Sequence, residues 1–311
     1  MLVLLDIVVC LILLAIPFIT YEVKSRKNQI VVNRKHIILH LLVGSFFAFT
    51  YMAFRHWHTP WRAGTFLHVY ALLASFAMPL ALAYLCRGTD TARTVAITMA
   101  MIILLSPLSR PISVPLLREI DSVADLEPAL PLNLSNISAI IFIIGIIMNS
   151  GVIKNFMITF GLFGGIMNNA MTFYVTSNTS TFWTYYIAES YFLHAFLIII
   201  PLFMLLTGQI TPRIKHVAIN AAWVFVYFLF LGFLLNPLLG TNFLFTAPVY
   251  GLPNLASPIT IFGSGVYLLN MLLLTILVAV AVAVSYGISW ATYKYLTPWC
   301  RNEKVKDEKR D

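Results

Sequence analysis

The chain has 311 residues, of which 60% are hydrophobic and only 10% charged, and its mean hydropathy is +0.87. A soluble domain carries roughly a quarter charged residues, so a chain this apolar could not hide its surface from water, and its solvent is largely lipid. The net charge of +8 does not make it a nucleic-acid binder, because the basic residues cluster beside apolar segments as topology signals do.

About nine apolar spans follow one another. The first covers about residues 2–21; it has neither a basic n-region nor a small-residue cleavage site and reads as a retained helix. The second covers about 36–54 and the third about 65–86. The fourth, about 94–108, stops at Pro107 and Pro111. Residues 109–130 hold Arg118, Glu119, Asp121, Asp125 and Glu127 and read as a loop with a short surface helix. The fifth span is about 132–153, the sixth about 155–175, the seventh about 181–206 and the eighth about 217–235. An uncharged Pro- and Gly-rich loop over 236–258 precedes the ninth span, about 261–292, and a charged tail closes the chain.

The expected fold is all-α: a polytopic transmembrane helix bundle, with residues 1–292 as one integral membrane domain and 293–311 as a charged cytoplasmic tail. On these boundaries all 20 Lys and Arg fall in loops. Only Arg55, Arg62, Arg110 and Arg118 lie on one side, so the positive-inside rule puts the N-terminus outside and the C-terminus in the cytoplasm. Cys10, Cys86 and Cys300 have neither metal nor disulfide-framework spacing, and no cofactor is expected.

Polar side chains deep in the apolar segments concentrate between residues 131 and 201. Glu189 lies about 12 Å into the seventh span, with no Lys or Arg in a span to pair with it. His194 lies near mid-membrane and shares a helix face with Ser190 and Tyr191, but not with Glu189, which is about 140° away. A lone buried His is as readily a satisfied core residue as a functional one. Asn168 and Asn169 read as interhelical amide glue or as ligand contacts, and Gly161, Gly164 and Gly165 as close helix packing. Asn133 and Ser135, just behind Pro131, fit ordinary N-capping as well as a site. Tyr186 completes the candidate binding set.

Three stretches carry a resemblance: LPLNLSNIS at 130–138, YYIAESYFLHAFLIIIPLFMLLTG at 185–208, and GTNFLF with a later Pro at 240–248. Over roughly residues 130–290 the chain resembles the YwaF-like family of bacterial integral membrane proteins, itself similar to an animal family of ether-lipid acyltransferases. The resemblance implies a cysteine nucleophile near the start of the fifth span and a His that serves it, with a thioester carrying an acyl group between lipids. His194 carries over directly. The Leu-Pro-Leu-His-Leu-Cys segment of the family has Asn133 in place of its His and Ser135 in place of its Cys. Membrane lipids are therefore the expected partners, in a bacterial plasma membrane. Three readings stay open: a non-catalytic member that binds lipid or a protein partner, an acyl-lipid transferase using Ser135 and His194, and a proton-linked small-solute or lipid transporter using Glu189 and His194.

Overall fold

A computed structural model describes residues 7–15, 66–86, 91–117, 119–170, 181–241 and 267–298, with positions 19, 44, 48 and 243 besides. The second span apart from positions 44 and 48, half of the first, residues 244–266 and the end of the tail lie outside the described residues. The described residues form helices and turns, with no strand among them. They comprise α1 (Phe66–Leu85), α2 (Ala92–Leu117), a 3-10 turn (Val123–Leu126), α3 (Leu134–Ile147), α4 (Gly151–Phe156) and α5 (Leu162–Ala170). Then come α6 (Thr181–Leu206), α7 (Ile214–Phe230), the short α8 (Asn236–Leu239) and α9 (Tyr267–Ala291). Among the described residues three stretches are long and apolar enough to cross a membrane: Ala92–Leu116, Glu189–Leu206 and Ile214–Leu239.

The hub is α6. It packs against α1, α2, α3 and α5, and Leu193, Leu197, Ile198, Ile200, Phe203 and Leu205 are sealed from the surface. By contrast α7 turns Trp223, Phe225, Val226 and Phe230 outward, as a lipid-facing helix does.

Direction follows from a few side-chain bonds. Arg93, at the start of α2, donates from Nη2 to the carbonyls of Ile147 at 3.3 Å and Ile146 at 3.5 Å, so the start of α2 meets the end of α3. Lys154 Nζ donates to Gln209 O at 3.0 Å, just past the end of α6, and to Asn149 Oδ1. Asn155 donates to Thr211 O at 3.1 Å and accepts from the backbone N–H of Arg213 at 2.8 Å. One end of the bundle therefore gathers the ends of α3 and α6 and the starts of α2, α4 and α7.

The helices depart from the sequence boundaries in three places. α2 does not stop at Pro107; it continues through Pro107, Pro111 and Pro115 to Leu117. These prolines recur every fourth residue and so fall near one stripe of the helix, and membrane helices tolerate such breaks where neighbours cover the freed carbonyls. The hairpin between the fifth and sixth spans turns at 148–150 rather than at Lys154, with Asn149 at φ 55° and Ser150 accepting from the N–H of Ile153. The last helix also runs past Tyr293: a π turn over Thr292–Leu296 continues it, and Thr297 Oγ1 donates to Leu205 O at 2.8 Å.

A second π turn, Met157–Gly161, joins α4 to α5. Such a turn shifts the backbone ladder by one residue and frees a carbonyl. Ser289 Oγ from α9 donates to Ile158 O there, at 3.1 Å.

Candidate functional site

α3 begins partway down the bundle. It spans about 20 Å, whereas α6 spans about 38 Å at 1.5 Å per residue, and the two share the end marked by Arg93 and Lys154. Leu134 thus lies well short of the far end, where α2 and the start of α6 reach. Residues 119–133 must run back from that end to meet it. From Asp125 to Ser135 they are half-buried, with Ala129 fully so. Irregular backbone at such depth is stable only where the protein covers it or where it lines a polar cavity. Tyr227 OH from α7 donates to Leu132 O at 2.5 Å and covers one of its carbonyls.

Asn133 takes the N-cap position of α3 with extended backbone, but its side chain makes no capping bond. Its carbonyl accepts from the N–H of Ile137 at 3.1 Å. Capping chemistry therefore does not account for that asparagine. One turn further on, Asn136 is completely buried, and neither amide atom has a hydrogen-bond partner among the described residues.

Glu189 is paired, contrary to the sequence-based expectation. Arg110 of α2 meets it with Nη2 at 2.5 Å from Oε2 and Nε at 3.1 Å from Oε1, a two-pronged ion pair. Ser106 Oγ donates to the same carboxylate. The side chains of Arg110 and Glu189 are 4% and 7% exposed, so the pair is inside the bundle. The assumption that every Lys and Arg lies in a loop fails at Arg110. The stop assigned at Pro107 hid it: once α2 continues, Ser106 and Arg110 are four residues apart and share a face.

His194 has its own partners. Its Nδ1 lies 2.6 Å from Ser190 O, 3.4 Å from Ser190 Oγ and 3.0 Å from Asn168 Nδ2 of α5. Ser190 O can only accept, so that contact puts the proton of the neutral ring on Nδ1 and leaves Nε2 its lone pair; an amide NH2 can only donate, so Asn168 then meets Nδ1 with its amide turned over and its oxygen accepting. Among the described residues Nε2 makes no hydrogen bond. The close approach that brings Asn168 to His194 depends on Gly165: a Cβ there would sit 2.7 Å from His194 O and 2.8 Å from Ile198 Cγ1. At Gly164 a Cβ would meet nothing within 4 Å.

Measured along the helices from the Arg93 end, Ser106, Arg110, Asn136, Asn168, Glu189 and His194 all lie about 17–27 Å deep. Four helices thus contribute polar groups to one layer of an apolar bundle. Asn168, Ser190 and His194 are joined by contact, and Glu189 joins Arg110 and Ser106 instead. Ser135 is half-buried at the start of α3, and no hydrogen bond ties it to His194 among the described residues. Asn169 is fully buried in α5. The side chain of Tyr186 lies outside the described residues.

Arg110, Ser106 and Asn136 were missed in the sequence. The spacing of Ser106, Arg110 and Ser113 could have signalled a polar helix face. Asn136 was overlooked because it sits beside the conspicuous Asn133 and Ser135. Among the described residues no three His, Cys, Asp or Glu side chains gather as metal ligands.

Asn236 holds Thr241 and Phe243, at the start of the GTNFLF stretch. Its Oδ1 accepts from Phe243 N at 2.8 Å and from Thr241 Oγ1 at 3.1 Å, while its Nδ2 donates to Phe243 O at 3.1 Å. With Gly240 left-handed at φ 65°, this is a helix-ending loop held by one buried amide.

Comparison with known proteins adds one finding. The model of the TMEM164 family, a membrane protein family, matches residues 59–286, more than half of the chain. The match reaches back across α1 and α2, beyond the stretch from 130 onward. No curated protein and no solved structure matches the chain.

Proposed function

The chain belongs to the TMEM164 family, and from that premise we propose that it is a multi-pass membrane protein that binds membrane lipid in the polar layer between α2, α3, α5 and α6. The proposal includes about nine spans, an outside N-terminus, a cytoplasmic C-terminus and a bacterial plasma membrane. It also includes the finer kinship with YwaF-like proteins and ether-lipid acyltransferases, with Asn133 and Ser135 standing where that motif has His and Cys.

One observation carries the reading. Asn136 is buried with both amide atoms unpartnered. An unpaired buried polar group costs about 1–3 kcal/mol. A ligand that offers both a donor and an acceptor removes that cost on binding. The bundle around the layer is apolar, so the ligand that fits it has a small polar part and long apolar chains. That describes a membrane lipid. The half-buried end of the 125–133 segment, Ser190 and His194 lie near the same level. Asn133, Asn168, Asn169, Tyr186, Glu189 and Ser190 remain the proposed binding set, with Glu189 acting through its pair with Arg110.

A second reading, acyl transfer between lipids, draws on His194. Its proton sits on Nδ1, which leaves Nε2 basic, as a general base requires. Ser135 Oγ would attack an ester carbonyl, Nε2 would take the serine proton, and a serine ester and a lysolipid would form. No hydrogen bond links the two side chains, which favours the binding reading. The transport reading is weaker still, because Arg110 occupies the carboxylate it would need to be free.

The test is lipid profiling of a deletion strain complemented with wild type, Ser135→Ala, His194→Ala or Asn136→Leu. The binding reading expects less lipid co-purifying with Asn136→Leu and unchanged acyl composition in every strain. A composition change that Ser135→Ala and His194→Ala both abolish establishes the transferase instead. Unaltered lipid retention in Asn136→Leu overturns the binding site.

A further inference from the structure

We propose that Arg93 and Lys154 form a site for the phosphodiester of an anionic membrane lipid, at the end of the bundle where α2, α3 and α4 meet. The site is separate from the buried layer and does not rest on the reading given for it.

The two cations come from different helices and are held in place by carbonyl oxygens, all backbone but one. Arg93 is fixed by the carbonyls of Ile146 and Ile147 through Nη2. Lys154 is fixed by Gln209 O and Asn149 Oδ1. Helix capping explains Arg93, since a guanidinium over the last carbonyls of α3 suits the negative end of the helix. Lys154 bonds the turn after α6 in a similar way, yet the anchors of the two cations, Ile147 O and Asn149 Oδ1, lie two residues apart on one hairpin, which brings both charges to the same place. Among the described residues neither is paired with a carboxylate. The Lys154 amine is held below its usual value, first by burial and then by the positive charge of Arg93. An anion between them relieves both effects.

The remaining donors suit a phosphate. A guanidinium has five N–H donors and only Nη2 is bonded here, and an ammonium has three, of which two are occupied. Arginine presents a planar fork to phosphate oxygens and lysine a point charge. The surroundings favour a lipid phosphate over a free one. Ile144, Ile147 and Met148 are exposed beside the site, at 41%, 58% and 69%, and offer apolar surface to acyl chains. Basic pockets between membrane helices recognise anionic headgroups in this manner.

The full-length protein in neutral detergent is titrated with phosphatidylglycerol, phosphatidylcholine or inorganic phosphate, and binding is read by native mass spectrometry and thermal shift. Phosphatidylglycerol is expected to bind preferentially, and Arg93→Gln and Lys154→Gln are each expected to weaken it about fivefold. Lys154→Arg keeps the charge and keeps binding. Arg213→Gln removes an exposed cation from the neighbouring turn and leaves binding unchanged. If Arg93→Gln does not fold, the two Lys154 variants carry the test. Equal loss in Arg213→Gln would reduce the effect to diffuse surface charge. An equal response to inorganic phosphate, or no preference over phosphatidylcholine, also overturns the site.

Discussion

Glu189→Gln isolates the contribution of the ion pair that the structure places in the middle of the bundle. The substitution keeps the size and one acceptor of the side chain but removes its charge. Arg110 then loses the carboxylate that its guanidinium grips, while remaining inside the bundle at 4% exposure. Removing one partner of a buried pair costs about 3–5 kcal/mol. At roughly 2–4 °C per kcal/mol this is a drop on the order of 10 °C in apparent melting temperature. Replacing both partners with apolar residues, as in Arg110→Met with Glu189→Leu, leaves no charge to solvate and is expected to be neutral or stabilising. The cycle should therefore show a coupling of at least about 2 kcal/mol. Cys86 is a ready reporter, being 3% exposed. In a background lacking Cys10 and Cys300, a thiol-reactive dye follows its exposure on heating. A Glu189→Gln protein that melts with the wild type, or a double variant as unstable as the single one, would refute the reasoning.

Three further outcomes follow from the geometry. Gly165→Ala should lower the apparent melting temperature by an amount set by about 1–3 kcal/mol of overpacking against His194 and Ile198, whereas Gly164→Ala, in open space, should be neutral or slightly stabilising. Asn136→Leu should raise the melting temperature of lipid-free protein by removing two unpaired buried polar atoms, and a fall would mean that they have partners. The folded state holds Lys154 below its usual 10.5, so in the window just under 10.5 the unfolded chain binds more protons and stability rises with pH. Equilibrium denaturation across that window should show the slope vanish in Lys154→Met and shrink in Arg93→Gln, where burial, the larger cause, remains.

What could be read from the sequence was what depends on composition and local pattern. The apolar runs gave the helical class, and the helix assigned to 181–206 coincides with α6. The face shared by Ser190 and His194 follows from helical spacing alone, and the structure has their atoms in contact. What could not be read depends on which helix lies beside which. Pro107 and Pro111 looked like a stop because proline removes an intrahelical bond, yet packing against α3 and α6 carries α2 beyond both. That single boundary concealed Arg110 and left Glu189 without a partner. The depth of Ser135 and Asn136 was equally hidden, because it depends on α3 being shorter than its neighbours and sharing their end. Asn136 follows the capping candidates Asn133 and Ser135 in the sequence, and only the packing of the bundle shows that its amide is buried without a partner among the described residues.

The central claim, that lipid enters the layer around Asn136 and His194, is tested most directly by photocrosslinking. A phospholipid bearing a diazirine near its headgroup is incorporated with the purified protein, irradiated, and the labelled peptides are mapped. The account predicts adducts at the start of α3 and around Ser190–His194 of α6, competed by unlabelled lipid and lost in Asn136→Leu. Adducts confined to the outward face of α7, around Trp223 and Phe230, and indifferent to Asn136→Leu, would contradict it.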